Sequence, residues 1–379
     1  MPSFPKRSIS AAELTIDLGR LAQNYRSIVR RVGGGVEVAA VVKANGYGLG
    51  AAPVAGCLLR EGCGVFFVAH AAEGAELREG LAGEKSSGHP TIFVLGGAHG
   101  GTEQALLDHD LVPVLNGLEQ VGRWSATARR AGRPLPAVLH VDTGMHRLGF
   151  TPHELTVVTS EPWRLDGIDV QLFMSHLASS DEPESPMNSG QRARFLSAIN
   201  TFGPAPRSLA NSSGIFLGPD YHFDQVRPGY CLYGGNPTPQ QTNPMQSVVT
   251  LHAPILQVRP VRPGDTVGYG ATHLVDRPGR VATLGVGYGD GLHRSLSDRG
   301  QAWLAGNAAP IIGRVSMDLL AIDVTEIPES DLWLGAPVEL IGEHRPIDAV
   351  ATDAGTIGYE VLTDLARRLR RIYVEEPVK

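Results

Sequence analysis

The sequence predicts an α/β protein, with a (β/α)8 barrel of the TIM type followed by a mostly β carboxyl-terminal domain. The first observation is that apolar, strand-like runs alternate with helical or Gly- and Pro-bearing stretches over about 230 residues, as parallel strands joined by crossovers require. The second is a change in the hydrophobic pattern near residues 236–239 (NPTP), after which apolar runs are short and bounded by turn signals. The third is length, because 379 residues accommodate both domains.

The barrel elements follow from hydrophobic periodicity. An amphipathic helix is predicted from Leu18 to about Val32, a helix-like segment begins near Ala51, and further helices cover residues 71–81 and 191–200. A doubly wound sheet is the alternative architecture, because periodicity alone cannot close a sheet. The eight barrel strands are predicted at residues 36–42, 65–69, 91–95, 111–115, 137–141, 168–174, 207–210 and 226–233.

The second domain is predicted to be mostly β and to end in a helix-like segment over residues 357–371. We place the boundary near residue 240, so that the two domains span 1–240 and 241–379. The strands of the second domain are predicted at residues 248–258, 281–286, 311–312 and 319–324.

Composition excludes several classes of function. A hydrophobic content of 42% with 19% charged residues is that of an ordinary globular protein, and a net charge of -6 argues against a nucleic-acid or membrane partner. We expect no secretion signal, because no apolar segment follows Lys6 and Arg7, and no run is long enough to cross a bilayer. Three cysteines without metal spacing and scattered histidines predict a metal-free, cytoplasmic protein.

The chain is organised around residues 41–50 (VVKANGYGLG). A short run of small and β-branched residues ends at Lys43, and Asn45-Gly46 then breaks the strand. Burial at a strand end lowers the pKa of a lysine, and the neutral amine is what a Schiff-base nucleophile requires. The alternative is a strand-end lysine whose ammonium reaches solvent.

Four polar clusters fall at the carboxyl ends of predicted strands, where a barrel enzyme has its active site. Each has a plain structural alternative: a satisfied core histidine, a helix cap, or an ion-paired arginine. The four clusters are residues 142–149 (DTGMHRLG), 175–177 (SHL), 211–213 (NSS) and 227–230 (RPGY).

Residues 41–48 closely resemble the pyridoxal-phosphate lysine motif of alanine racemases, and the resemblance extends over nearly the whole chain. It implies that Arg147 binds the cofactor phenolate and the substrate, and that His176 stacks near the pyridine ring. The phosphate would be shared by hydroxyl groups and backbone amides at turn starts. The cofactor residues implied are Lys43, Tyr47, Arg147, His176, Asn211, Ser212, Arg227, Gly229, Tyr230 and, from residues 357–361 (IGYEV), Tyr359.

Arg227 matches the residue that faces the pyridine nitrogen in that family. A guanidinium keeps its proton up to a pKa of roughly 12, so it leaves the pyridine nitrogen unprotonated and makes the ring a weaker electron sink. Such a ring suits reversible proton exchange at one carbon.

In the second domain, residues 267–272 (VGYGAT) resemble the racemase segment that carries the second catalytic base, which would be Tyr269. Tyrosine titrates near pKa 10, so a neighbouring His176–Arg227 network would have to favour the phenolate. A tyrosine between glycines is otherwise a packing or turn residue. The substrate-binding residues implied by the resemblance, including those of residues 286–291 (VGYGDG) and 313–318 (GRVSMD), are Arg147, Tyr269, Tyr288, Met317 and Asp318.

The resemblance also implies a homodimer in which Tyr269 and Met317 act on the barrel of the opposite subunit. One position departs from the family pattern: many members have a carbamylated lysine where this chain has His140. A histidine forms no stable carbamate. A bound anion or another acidic side chain would then support Arg147, or its orientation would be looser.

The resemblance therefore predicts a two-base alanine racemase with pyridoxal 5′-phosphate, supplying D-alanine for peptidoglycan or serving alanine catabolism. A racemase of broader or serine specificity is the nearest alternative, since one methylene changes discrimination by only about 1–3 kcal/mol. Arg227 and the lack of a cysteine after Cys231 oppose a basic-amino-acid decarboxylase. The second domain opposes a non-catalytic pyridoxal-phosphate-binding barrel.

Overall fold

The structure is a computed structural model that describes residues 8–84 and 89–375. Contacts divide the chain into two compact units, each with its own sheet. The barrel unit comprises the described parts of residues 22–232 and 236–244. The β unit comprises those of residues 1–21, 233–235 and 245–379.

The chain begins with strand β1 (Glu13–Asp17) and helix α1 (Leu18–Val32). The predicted bounds of α1 are confirmed. Leu21, Tyr25 and Ile28 recur at helical spacing and are buried on one face.

A sheet of parallel strands forms the barrel, in the order β2-β10-β9-β8-β7-β6-β5-β4-β3. The first two of these strands in the chain, β2 and β3, are two short pieces of one extended segment, which pairs with β10 on one side and β4 on the other. With β2 and β3 counted as one strand, the sheet therefore closes into a barrel of eight strands. The predicted (β/α)8 barrel is confirmed. The strands are β2 (Glu37–Val38), β3 (Ala40–Val41), β4 (Val65–Val68), β5 (Thr91–Val94), β6 (Val112–Leu115), β7 (Leu135–His140), β8 (Ile168–Met174), β9 (Arg207–Ser208) and β10 (Gln225–Val226).

Helical segments connect the strands and cover the barrel with apolar faces. Trp124, Phe150 and Phe195 come from these connections and are fully buried, as are Phe66 and Phe67 of β4. The helices are α2 (Lys43–Tyr47), α3 (Ala51–Arg60), α4 (Ala71–Gly80), α5 (Glu103–Asp108), α6 (Leu118–Ala131), α7 (Pro152–Ser160) and α8 (Pro186–Ile199), with 3-10 turns at Pro162–Leu165, Gly214–Leu217, Pro219–Tyr221 and Tyr230–Tyr233.

The last predicted barrel strand, residues 226–233, is wrong for most of its length. Strand β10 ends at Val226, and Tyr230–Tyr233 is a 3-10 turn. Pro228 accepts a hydrogen bond from the Val41 N–H at 2.9 Å but has no N–H to continue the ladder.

The β unit is built on an eight-stranded sheet, which confirms that the second domain is mostly β. Its long strand β11 pairs with β1, β18 and β14. The remaining elements are β11 (Val249–Val261), β12 (Thr266–Val267), β13 (His273–Leu274), β14 (Gly279–Leu284), β15 (Gln301–Leu304), β16 (Asn307–Ile312), β17 (Leu320–Asp323), β18 (Pro337–Ile341), α9 (Ile347–Ala354), α10 (Gly358–Asp364) and β19 (Arg370–Val374), with 3-10 turns at Tyr269–Ala271, Tyr288–Asp290, Arg294–Leu296 and Glu329–Asp331.

The predicted closing helix over residues 357–371 is wrong in its second half. The helix α10 ends at Asp364, and the Ala366 N–H then bonds to the carbonyl of Asp290 at 3.0 Å. The chain continues as β19, which pairs in parallel with β1. Pairing with a strand more than 350 residues earlier leaves no signal in a local window.

Within the described ranges, no helix has both the length and the hydropathy needed to cross a membrane. The same ranges contain no group of three His, Cys, Asp or Glu side chains that could hold a metal ion.

Candidate active site

Polar side chains gather at the carboxyl edge of the barrel because its strands are all parallel. Lys43 follows β3, His140 ends β7, His176 follows β8 and Arg227 follows β10. Such an edge is where barrel proteins carry their functional groups. The structure thus brings these predicted residues to one side of the barrel unit.

Lys43 opens a turn with unusual backbone geometry. Ala44 (φ 53°, ψ 46°), Asn45 (φ 55°, ψ 49°) and Gly46 (φ 63°, ψ 46°) are left-handed, and Tyr47 has φ 54°. Only glycine adopts this region freely, and each L residue there costs about 1–2 kcal/mol. The turn behind the lysine is therefore strained and has to be held by its surroundings.

The Lys43 amine is half-buried. Burial lowers its pKa, the positive charge of Arg147 lowers it further, and the carboxylate of Glu73 raises it. The net shift is downward, so the neutral amine is favoured more than in a free lysine.

Arg227 is buried, with 3% of its surface exposed, and it has no carboxylate partner in the part of the chain that the structure describes. Its Nη1 donates to Ser208 Oγ, and its Nη2 donates to the carbonyl oxygens of Ser175 at 2.5 Å and Leu209 at 3.3 Å. Burial lowers the pKa of Arg227 to about 9, so the guanidinium still carries its charge at neutral pH. These hydrogen bonds use the two terminal nitrogens and leave Nε as a further donor.

The two histidines of the edge are neutral. Burial and the charges of Arg227 and Arg147 lower the pKa of His140 to about 3, against a smaller opposing effect of Asp142. Burial and the same two arginines also lower the pKa of His176 well below its usual value. Both imidazoles therefore act as neutral hydrogen-bonding groups near pH 7.

Asn116 fixes the orientation of His140. The Nδ2 group of Asn116 donates to the carbonyl oxygens of Leu95 and Val114, both at 2.9 Å, and its Oδ1 lies 2.7 Å from His140 Nδ1. Because Oδ1 only accepts, the proton of the neutral imidazole is assigned to Nδ1, and the lone pair lies on Nε2.

The loop of residues 142–149 is anchored at its base and presents an exposed Arg147. Asp142 Oδ1 accepts from the N–H groups of Gly144, Met145 and His146 at 2.9–3.2 Å. Arg147 has no hydrogen bond or ion pair with any described residue. The acidic support considered for it in the sequence is therefore absent from the described part of the chain.

Gln191, which is fully buried, ties this loop to the His176 segment. Its Nε2 donates to Thr143 Oγ1 at 3.1 Å and to the His176 carbonyl at 2.9 Å, and its Oε1 accepts from the Ala178 N–H at 2.8 Å. All three groups of this amide are satisfied, so the network is rigid.

Ser212, Gly229 and Tyr47 meet where β9 and β10 end. Ser212 Oγ accepts from the N–H groups of Gly229 at 3.0 Å and Cys231 at 3.3 Å. A Cβ atom at Gly229 would lie 2.4 Å from Tyr47 Oη, so only glycine fits there. Asn211 Oδ1 accepts from Ser180 Oγ and from the Gly214 N–H, which makes it a turn cap. Tyr230, the residue after Gly229, is also buried.

Three of the predicted substrate residues lie together within the β unit. The Tyr288 N–H donates to the Ser316 carbonyl at 2.9 Å, and the Gly289 N–H donates to the Met317 carbonyl at 2.8 Å. Arg368 forms ion pairs with Asp290 at 2.7 Å and Asp318 at 2.9 Å. The segments of Tyr288, Met317 and Asp318 are thereby held side by side.

The other two predicted residues of the β unit lie in short helical segments. Tyr269 belongs to a 3-10 turn that packs near Arg314, and its side chain is 71% exposed. Tyr359 is the second residue of α10 and is 40% exposed.

Sequence reasoning missed Asn116, Gln191 and Glu73. Asn116 directly follows β6, so the rule that points to the carboxyl ends of strands was sufficient to find it. Gln191 and Glu73 lie on helices outside every motif, and their partners are 48 and 29 residues away in the chain. No local pattern marks them.

Comparison with known proteins assigns both parts of the chain to one family. The family model described as "Alanine racemase, N-terminal domain" matches residues 16–237, and "Alanine racemase, C-terminal domain" matches residues 248–373. The chain is 47% identical to an alanine racemase of Rhodospirillum rubrum over 96% of either chain. It is 45% identical to a catabolic alanine racemase of Agrobacterium fabrum over 97% of this chain and 93% of the relative.

Solved structures agree with this assignment. An alanine racemase of Bartonella henselae with covalently bound pyridoxal phosphate superposes with a TM-score of 0.91 at 36% identity, over 97% of this chain and 100% of that one. A biosynthetic alanine racemase of Pseudomonas aeruginosa gives a TM-score of 0.87 at 34% identity over the same shares.

Substituting Gly229→Ala tests the close approach of Tyr47. The added methyl group forces the Tyr47 ring to move, so we expect the free energy of unfolding to fall by about 1–3 kcal/mol in a denaturant titration. Gly203→Ala is the matched control, because a Cβ atom there meets nothing within 4 Å. Equal stability of the two variants would contradict the close packing of Tyr47 against Gly229.

Proposed function

This chain belongs to the alanine racemase family, and we propose that it interconverts L-alanine and D-alanine with pyridoxal 5′-phosphate as its cofactor. The observation that carries the proposal is Lys43, a half-buried amine with a lowered pKa at the carboxyl edge of the barrel. An isomerase of this kind either supplies D-alanine for peptidoglycan or draws on it in catabolism, because the reaction is reversible.

The residues present fit the cofactor. Arg227 retains its Nε donor for a pyridine nitrogen, and the lowered pKa of Lys43 favours the neutral amine that can form a covalent bond with an aldehyde. Tyr47 and Ser212 carry hydroxyl groups suited to a phosphate, and the Gly229 N–H, which donates to Ser212 Oγ in this structure, would exchange that partner for a phosphate oxygen. Asn211, Tyr230 and Tyr359 are the further members of the set that the family resemblance implies. When bound, pyridoxal phosphate supplies a ring that withdraws electrons and so acidifies the α-hydrogen of an attached amino acid.

Arg227 limits how strongly electrons are withdrawn. Its guanidinium is charged at neutral pH and holds its proton more tightly than a pyridine nitrogen would. No carboxylate stands beside it among the described residues to stabilise a protonated pyridine nitrogen. This arrangement favours simple proton exchange over reactions that need a stronger electron sink, such as decarboxylation.

Racemisation requires a base on each face of the α-carbon. We assign one role to Lys43 Nζ, since a neutral amine can accept the α-proton and the resulting ammonium can return it. The other role goes to the Tyr269 hydroxyl, which lies on an exposed turn of the β unit. The barrel unit would then hold the reacting end of the cofactor, and the β unit would supply the second base.

We propose that the enzyme is a homodimer in which Tyr269 acts on the partner's barrel. Support comes from the exposure of neighbouring apolar side chains of the β unit: Tyr269 is 71% exposed, Leu274 65% and Met317 54%. Such a group of exposed apolar residues is typical of a surface that another chain covers.

The substrate carboxylate is assigned to Arg147, and we infer that His140 orients this arginine in place of a carbamylated lysine. The positive charge of Arg147 contributes to the lowered pKa of His140, which indicates that the two side chains are near each other. With its proton held on Nδ1 by Asn116, the imidazole has the Nε2 lone pair as a neutral acceptor. No hydrogen bond joins Arg147 to His140 in this structure, so the guanidinium would turn to Nε2 when it binds the substrate. No bound anion is then required.

We propose alanine as the preferred substrate. The entrance segment is stiffened by the Arg368 ion pairs with Asp290 and Asp318, and it carries the bulky side chains of Tyr288 and Met317. A rigid and bulky rim favours a methyl side chain over larger ones, although one hydroxyl or methylene alters the selectivity by only about 1–3 kcal/mol.

The two-base assignment predicts different losses in two variants. Lys43→Ala should lose both the covalent link to the cofactor and turnover, whereas Tyr269→Phe should retain the cofactor and lose about 100-fold or more of its activity. The measurement is the exchange of the α-proton of L- and D-alanine in heavy water, followed by NMR with a chiral readout. Tyr221→Phe is the control, because it deletes a hydroxyl that makes no hydrogen bond with a described residue. Near-wild-type inversion by Tyr269→Phe would refute the assignment.

A mixed dimer tests whether Tyr269 acts in trans. Lys43→Ala and Tyr269→Phe chains are co-expressed with different tags, and the dimer carrying both tags is isolated. If Tyr269 acts on the partner's barrel, one site of this dimer has both bases and the other has neither, so about half of the wild-type activity is expected. A mixed dimer as inactive as its parents would show that each site is built from one chain.

The role inferred for His140 predicts that activity is independent of carbon dioxide. Racemisation in degassed, bicarbonate-free buffer should match that in bicarbonate, and ¹³C-bicarbonate should give no carbamate signal by NMR. His140→Ala should raise the KM for alanine about tenfold through the lost acceptor, with a smaller change in kcat. His153→Ala removes an exposed imidazole from the same region and should change neither constant. Loss of activity without bicarbonate would overturn this inference.

A further inference from the structure

The carboxylate of Glu73 joins the lysine turn to the start of helix α4. Its Oε1 accepts a hydrogen bond from the Ala44 N–H at 2.8 Å. Its Oε2 accepts from the Ala69 N–H at 2.7 Å and from the His70 N–H at 3.4 Å. One side chain thus contacts both the residue after Lys43 and the residues after β4.

Helix capping explains only half of this arrangement. Glu73 is the third residue of α4, where a carboxylate commonly accepts from the backbone N–H of the N-cap residue, here His70. Capping requires nothing of the second oxygen, which instead meets Ala44, 29 residues earlier in the chain. The side chain therefore serves the lysine turn as well as its own helix.

The lysine turn depends on this external acceptor. Its own carbonyl groups satisfy two of its amides, because Val42 accepts from the Gly46 N–H at 2.9 Å and Ala44 accepts from the Gly48 N–H at 2.8 Å. The Ala44 N–H bonds to Glu73 instead. Since Ala44 is also in the left-handed region, its conformation needs support from outside the turn.

The charge of Glu73 also acts on the amine. Lys43 lies near the positive Arg147 on the loop after β7 and near the neutral His176 after β8, while Glu73 on α4 is the one acidic group among its described electrostatic neighbours. Arg147 disfavours the ammonium form of Lys43, and Glu73 favours it. The carboxylate therefore holds the turn in place and partly offsets the surrounding positive charge.

We propose that Glu73 is a positioning residue for Lys43. Its carboxylate fixes the peptide that follows Lys43 against the first turn of α4, and so determines where the amine stands relative to the substrate α-carbon. This inference rests on the proposed role of Lys43 as a catalytic base. It adds to that role a residue outside the four strand-end clusters and outside the lysine motif.

The test compares Glu73→Gln and Glu73→Asp holoenzymes with the wild type. The amide of glutamine can accept at only one of the two sites, and its NH₂ group would face a backbone donor at the other. Aspartate keeps the charge but is one methylene too short to bridge both segments. We expect kcat to fall about 10- to 100-fold in both variants with little change in the KM for alanine, since a displaced base weakens proton transfer more than binding.

A spectroscopic readout separates charge from position. In the holoenzyme, the pH midpoint of the cofactor's visible absorption band reports protonation of the nitrogen that joins it to Lys43. Removing a negative neighbour disfavours the positively charged form, so Glu73→Gln should shift this midpoint to lower pH. Glu73→Asp retains the charge and should shift it less.

Glu76→Gln is the matched control, because it makes the same change on the same helix at an exposed residue. It should match the wild type in kcat and in the midpoint. Suppose that Glu73→Gln loses thermal stability but has the same kcat and the same absorption midpoint as Glu76→Gln. Glu73 is then only a helix cap, and the proposal is overturned. Should the wild type fail to racemise alanine, the proposed function fails, whereas the absorption titration still tests Glu73 for as long as the cofactor is joined to Lys43.

Discussion

A buried guanidinium with no carboxylate partner among the described residues sets the electrostatics of the barrel edge. Moving the charge of Arg227 out of water is costly, and the neutral oxygens of Ser208, Ser175 and Leu209 offset that cost only in part. Burial lowers the pKa of His140 and His176, and the charge of Arg227 lowers both further, so the two imidazoles are neutral. An edge that combines positive charge with neutral bases suits an anionic cofactor and a substrate whose carboxylate must be held while a proton moves.

Much of the fold follows from local sequence patterns. Helix α1 lies where its apolar spacing predicts it, and Lys43 follows a strand as its apolar run predicts. Two elements were mispredicted, the first for a non-local reason and the second because Pro228, a local signal against a continuous strand, was overlooked. Strand β19 depends on pairing with β1 at the other end of the chain, and β10 is cut short by a proline whose carbonyl still pairs with β3.

The candidate site likewise combines residues that sequence motifs mark with residues that no motif marks. Motifs pointed to Lys43, His176 and Arg227, which closely follow strands, and to Arg147, which lies in the loop after β7. Gln191 and Glu73, which hold the His176 segment and the lysine turn, could not be predicted in this way, since each acts through a partner that is distant in the chain. The left-handed turn shows the limit well: Ala44 and Tyr47 would be assigned ordinary backbone angles on sequence grounds, and only tertiary contacts keep them where they are.

The position of β1 has a consequence for how the protein is made. This strand pairs with β11 on one side and β19 on the other, and Glu13 lies opposite Arg370. During synthesis, both partners of β1 leave the ribosome only after the whole barrel sequence has emerged, β11 soon after it and β19 later. The side chains of Leu14 and Ile16, which are fully buried in the folded protein, therefore remain without their strand partners until the barrel sequence has been synthesised.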